Sequence, residues 1–132
     1  SKKQKDALRQ KFGGKCAYCG CDLGKMHADH LLQITRVFND PWGKPYPPEK
    51  RRLMNPERNV VSNMMPACGP CNLHKGGYRL EDWRALLSRT AEVLSRDKSI
   101  FRAAVRFGII SINSAPVVFH FERVQSEPPH DL

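Results

Sequence analysis

The chain has 132 residues, the length of one ordinary domain, and a hydrophobic content of 40% allows a core of modest size. Its net charge is +9, from 22 Lys and Arg against 13 Asp and Glu. That excess points to a polyanion, most simply nucleic acid, over the plainer reading of a merely basic soluble protein. No apolar run approaches the roughly 20 residues of a membrane span, so no membrane contact is expected.

The segment SKKQKDALRQKF is charged and has no apolar core of signal-peptide type. Within residues 2–12, Leu8 and Phe12 stand four apart, which suits a short helix with one apolar edge, stopped by Gly13 and Gly14. Residues 15–24 form a cysteine- and glycine-rich knuckle. Residues 26–34, MHADHLLQI, read as a strand, yet His27, Asp29 and His30 crowd three metal-binding or proton-carrying groups into it. Burying such groups without partners costs free energy, so a core strand gains nothing from them.

Residues 36–58 hold five of the ten prolines and many charged residues. The run WGKPYPPEKRR should stay irregular, because proline lacks the N–H and fixes φ. A long basic loop of this kind, with Trp42, Tyr46, Arg51 and Arg52, is a candidate nucleic-acid contact. NVVSNMMP, residues 59–66, reads as a second short strand or turn, and residues 69–75 as a short helix closed by Gly76 and Gly77. Leu80, Trp83, Leu87, Thr90 and Leu94 recur at helical spacing and predict an amphipathic helix of about four turns, its stripe facing a core. A further helix is expected over residues 98–107, with Asp97 as N-cap and Gly108 as its end. PVVFHFE, residues 116–122, alternates as a strand would, and residues 123–132 read as a disordered tail. The whole of 1–122 is expected to be one domain.

Two C-x2-C pairs, Cys16/Cys19 and Cys68/Cys71, each next to a glycine, supply the four soft thiolates of a closed tetrahedral zinc site. Disulfides and a redox C-x-x-C are the alternatives. Cys21 is a fifth cysteine that is either a spare thiol or a replacement for Cys19. A closed four-thiolate site leaves no position for substrate, so zinc would explain the fold and not the chemistry. It would bring residues 27–30 beside the run CNLHKGG.

The order C16-AY-C19, D29-H30, N63, C68-GP-C71-N72-LH-K75-G76 resembles the HNH endonuclease family, the ββα-metal nucleases, over residues 15–77. Residues 78–122 are similar, more loosely, to the C-terminal extension of small free-standing phage-type members. The resemblance implies an α+β fold: a ββα-metal (His-Me finger) core with a structural zinc knuckle, plus C-terminal helices and a short strand. It implies a metal-dependent DNA endonuclease. Asp29 and the side-chain carbonyl of Asn72 would be hard ligands for Mg²⁺ or Mn²⁺. His30 would be the general base, a role suited to imidazole near neutral pH. Neighbours on a regular strand face opposite ways, so a bend or bulge near Asp29 is expected. Asn63 would hold the loop that orients His30. Lys75 would touch phosphate, with Arg51, Arg52 and His74 as further nucleic-acid contacts.

This chain departs from the name pattern in carrying Asn72 where the final His stands. His27, on the face of Asp29, is an additional candidate ligand. The implied partner is DNA, in double-stranded form. Nicking by a monomer and double-strand cutting by a homodimer are both compatible with one such site. The implied location is the cytoplasm of a bacterium or phage-infected cell. A reading of a different class is a non-catalytic zinc-knuckle module that only binds nucleic acid.

Overall fold

The computed structural model describes residues 1–125; the tail expected from residue 123 lies, beyond Gln125, outside the described residues. The described chain forms two compact units, one of Ser1–Arg79 with the segment from Phe119, the other of Leu80–Val118.

In the first unit, α1 (Lys2–Gln10) starts at a capping box in which Ser1 and Gln4 satisfy each other's backbone N–H groups. Its apolar edge, Leu8 with Phe12 just beyond, is buried. Arg9 then grips the knuckle, donating to the carbonyls of Leu23 and Gly24 at 3.0 Å each. The strand expected over residues 26–34 is shorter: β1 is His27–His30, and the chain bends at Leu31 and Leu32. It is paired antiparallel with β4 (Met64–Ala67), His27 opposite Ala67 and His30 opposite Met64. The register is one to one, so the bulge expected near Asp29 is absent and the bend follows His30 instead. The helix expected over residues 69–75 is α2 (Gly69–Lys75), with Cys68 as N-cap and Pro70 in the first turn, where no N–H is missed.

Residues 36–58 are more ordered than their prolines imply. Their ends pair as β2 (Thr35–Val37) and β3 (Arg52–Met54), antiparallel, and the arm continues through a bridge between Asn39 and Pro45. Single 3-10 turns occupy Pro48–Lys50 and Pro56–Arg58, each with proline at its start. The prolines sit between the strands and in these turns, where no ladder N–H is required.

The segment expected to be a third strand is not one. Residues 116–119 have no regular structure and α6 (His120–Gln125) follows. The N–H groups of His120 and Phe121, orphans at a helix start, donate to the carbonyls of Tyr18 and Ala17 at 3.0 and 2.8 Å. Phe119 and Phe121 stack at 6.2 Å between centroids, and both meet Tyr18 edge-on. This aromatic cluster, with Leu8, Phe12 and Met65, forms the core of the first unit.

The second unit is helical. The single helix expected over residues 80–94 is divided at Arg89 into α3 (Leu80–Ser88) and α4 (Thr90–Asp97). α5 (Ser99–Arg106) follows and ends before Gly108, whose φ is +70°. Its N-cap is Lys98; Asp97 belongs to α4 and pairs with Arg96. α4 is packed against both α3 and α5. The described protein is therefore a mixed α+β fold with two small antiparallel sheets.

Candidate functional site: a cysteine cluster, a buried ion pair and a clamped histidine

The two knuckles meet. The sulfurs of Cys16, Cys19, Cys68 and Cys71 all lie within 4.8 Å of one another. Tetrahedral zinc with Zn–S bonds of about 2.3 Å needs sulfurs about 3.8 Å apart. Cys19 Sγ and Cys68 Sγ are separated by 3.8 Å, and all five cysteines are free thiols. The backbone is shaped for the same end. The N–H of Cys68 points at Cys16 Sγ (3.4 Å), and Gly20 N–H closes the first knuckle onto the Cys16 carbonyl (3.0 Å). Four cysteines thus form a set that could hold a metal such as zinc.

Burial pushes the thiols of Cys16 and Cys71 up. At Cys19 burial acts in the same direction, but hydrogen bonds from Cys21 and the neighbouring thiols prevail and bring it to about 7. Cys21 abuts the cluster and is pushed up to about 12, chiefly by its bond to Cys19. A cation at the centre would favour the thiolate at every one of these positions.

Gly20 is required twice. Its φ is +79°, and a Cβ there would lie 3.0 Å from His120 Nδ1.

Behind the cluster is a buried polar group. Asp29 is 6% exposed and Lys75 is 0% exposed. Lys75 Nζ lies 3.0 Å from Asp29 Oδ2 and also donates to the His30 carbonyl at 3.1 Å. The Tyr18 hydroxyl donates to the same Oδ2. Burial first, then this bond, pushes the Tyr18 phenol far above its ordinary range. Lys75, expected to touch phosphate, is instead found buried, with its ammonium on Asp29 and the His30 carbonyl. Its chain runs inward from α2, and its charge is spent on β1.

Lys75, Asn72 and Gly69 recur every three residues and so share the side of α2 that faces β1. Gly69 sits where its missing Cβ would be 3.5 Å from His27 Nε2. His27, half-buried, therefore lies over the start of α2, on the β1 face it shares with Asp29. Asn72 is half-buried. Asp29, Asn72 and His27 offer oxygen and nitrogen donors of the types a divalent cation such as Mg²⁺ or Mn²⁺ takes. Asp29 Oδ2 is taken by Tyr18 and Lys75, and Oδ1 enters neither contact.

His30 is the last residue of β1, and its Nε2 is 3.1 Å from Asn59 Oδ1. The chain after it is clamped by Asn63. The Asn63 amide donates to the carbonyls of Leu32 and Arg58 at 2.8 Å each, and its Oδ1 accepts from Leu32 N–H at 2.9 Å. His74 is exposed on α2. Arg51 and Arg52 lie on the arm, just before and at the start of β3. Arg51 lies over Phe38 at 5.8 Å and bonds the Tyr46 carbonyl, while Arg52 is exposed.

Tyr18 and Asn59 were not singled out in the sequence. Tyr18 lies inside the first C-x2-C, where spacing is informative only about the cysteines. Asn59 stands four residues before Asn63 without a motif of its own.

One curated relative is similar to this chain. It is "SPbeta prophage-derived putative HNH endonuclease YoqL" of Bacillus subtilis (strain 168), 31% identical over 74 residues. The match covers 54% of this chain and 27% of the relative, so the chain spans about a quarter of that protein's length. No family model matches the chain. No solved structure matches it either.

Proposed function

We propose that the protein is an HNH-type endonuclease that hydrolyses DNA phosphodiester bonds with a divalent cation, and that β1, β4 and α2 are its ββα-metal core. The observation that carries this reading is the fixed histidine. His30 is bonded by Asn59, and the turn after it is pinned on both sides by Asn63. A surface histidine with no task needs no such support.

Asp29 through Oδ1 and Asn72 through its side-chain carbonyl would hold Mg²⁺ or Mn²⁺, with His27 as a third candidate donor. Such a cation supplies neutralisation of charge at the scissile phosphate and the leaving oxygen. With Nε2–H donating to Asn59, His30 keeps its lone pair on Nδ1 and takes a proton there from the attacking water. Asn63 acts through His30 by fixing the loop, and Lys75 by fixing Asp29. DNA as substrate is supported by the charge of +9 and by the name of the prophage relative. Double-stranded DNA as the substrate form is part of the same proposal, and both nicking by a monomer and double-strand cutting by a homodimer are compatible with it.

A second reading is favoured by one observation. Lys75 neutralises Asp29, so the carboxylate would not repel phosphate, and a non-catalytic nucleic-acid-binding module is compatible with the site. A divalent-ion titration separates the two. End-labelled duplex DNA is incubated with zinc-loaded protein at rising Mg²⁺ or Mn²⁺, with binding and cleavage read from the same samples. Products that require the ion support the nuclease. DNA that stays bound and intact at every concentration supports the module.

A further inference from the structure

We propose that Trp42, at the tip of the arm between β2 and β3, is a stacking element that engages a nucleobase of bound nucleic acid. This rests on the nucleic-acid reading above and adds a contact that the residues of β1 and α2 do not make.

Trp42 is 88% exposed. A side chain of this size normally hides most of its apolar surface, and leaving it in water forfeits that gain. The tip is nevertheless firmly built. Asp40 Oδ1 accepts from the N–H groups of Trp42 and Lys44 at 2.9 and 2.8 Å. Asp40 N–H donates to the Lys44 carbonyl at 2.8 Å, and Tyr46 N–H to the Phe38 carbonyl at 2.6 Å. Gly43 takes the φ of +86° that the turn needs. The indole is thus displayed on a preformed turn, and little ordering entropy remains to be lost when it binds.

Charge identifies the occupant. Residues 35–58 carry six Lys and Arg against three Asp and Glu. One of those acids, Asp40, is turned inward onto backbone N–H groups. Cations that track a phosphate backbone, interleaved with an exposed aromatic face, are the combination that binds nucleic-acid strands by stacking. A flat aromatic on a basic arm also suits insertion as a wedge between base steps.

The protein contains two tryptophans, and Trp83 is 3% exposed, so a fluorescence change on binding reports Trp42. Zinc-loaded full chain is titrated at low salt with a short mixed-sequence DNA duplex and, separately, with inorganic polyphosphate, which has the charge but no bases. The proposal expects quenching by the duplex and none by polyphosphate. Trp42→Ala should bind the duplex roughly 5- to 100-fold more weakly, the range of one lost stack, with polyphosphate affinity unchanged. Trp42→Phe should keep most of the duplex affinity, which sets loss of stacking apart from loss of folding. Equal duplex binding by wild type and Trp42→Ala, or the same quenching by both polyanions, overturns the proposal and leaves the endonuclease reading standing. A wild type that binds no duplex at low salt overturns both.

Discussion

Lys75 Nζ and Asp29 Oδ2 are 3.0 Å apart in a place that water barely reaches, joined by the hydroxyl of Tyr18. Three parts of the first unit meet there: the first knuckle through Tyr18, β1 through Asp29, and α2 through Lys75. Two opposite charges in one buried place hold each other, and removing one strands the other. Lys75→Met should therefore cost about 3–5 kcal/mol of stability. Combining it with Asp29→Asn should restore part of that loss, because the stranded charge is gone. Urea unfolding of the zinc-loaded proteins checks this; strictly additive losses would show that the pair is not coupled.

Metal removal should undo the fold, since no disulfide joins the four sulfurs and only weak hydrogen bonds such as Cys68 N–H to Cys16 Sγ link the knuckles through them. A strong chelator should abolish cooperative unfolding of the first unit. Cys71→Ser should lower zinc content and thermal stability, whereas Cys21→Ser should retain one zinc per chain. Metal analysis of the purified variants, read beside thermal melts, gives the answer. Zinc lost equally from both variants would place Cys21 among the ligands.

Gly20→Ala should destabilise the protein by at least about 1 kcal/mol, the cost of a Cβ at positive φ. The contact with His120 adds to this. Replacing His120 as well with Ala should recover the contact part alone. Melting temperatures of the single and double variants separate the two contributions.

Asn63 and Asn59 should differ in their effects. Asn63→Ala removes the bonds to Leu32 and Arg58, leaves backbone groups without partners, and should cost about 1–3 kcal/mol of stability. Displacement of His30 by the loosened loop should lower the cleavage rate on the order of 100-fold. Asn59→Ala removes one bond, to the His30 ring, and should lower the rate with little change in melting temperature. Single-turnover cleavage measured beside thermal melts checks both, and a large stability loss in Asn59→Ala would assign that residue a structural role.

Local signals were the legible ones. C-x2-C is a local spacing, and it located the four cysteines that come together. Gly69 to Lys75 was readable as α2 because the stop at Gly76 is also local, and Gly76 does leave the helix with φ +49°. Asn63 was expected to hold the loop after His30, and its amide bonds the carbonyls of Leu32 and Arg58.

What was missed depends on partners distant in the chain. Lys75 was expected to touch phosphate, and its burial becomes visible only when the joined knuckles set α2 against β1, with Asp29 46 residues upstream; nothing in either neighbourhood announces the ion pair. The alternation of Val117, Phe119 and Phe121 looked like a strand. Phe119 precedes α6 and Phe121 lies in its first turn, and both rings are buried in one aromatic cluster from helical geometry. β2 and β3 are only three residues each, too short to display a two-residue period among so many prolines.

The most direct test of the endonuclease reading is cleavage of supercoiled plasmid in Mg²⁺ and in Mn²⁺ by wild type and His30→Ala, both confirmed folded, zinc-loaded and able to bind DNA. Nicked or linear product that requires the divalent ion and disappears in His30→Ala is the predicted result. Equal cleavage by the two proteins would contradict the role of His30, and intact plasmid bound by a fully folded wild type would contradict the endonuclease reading on that substrate.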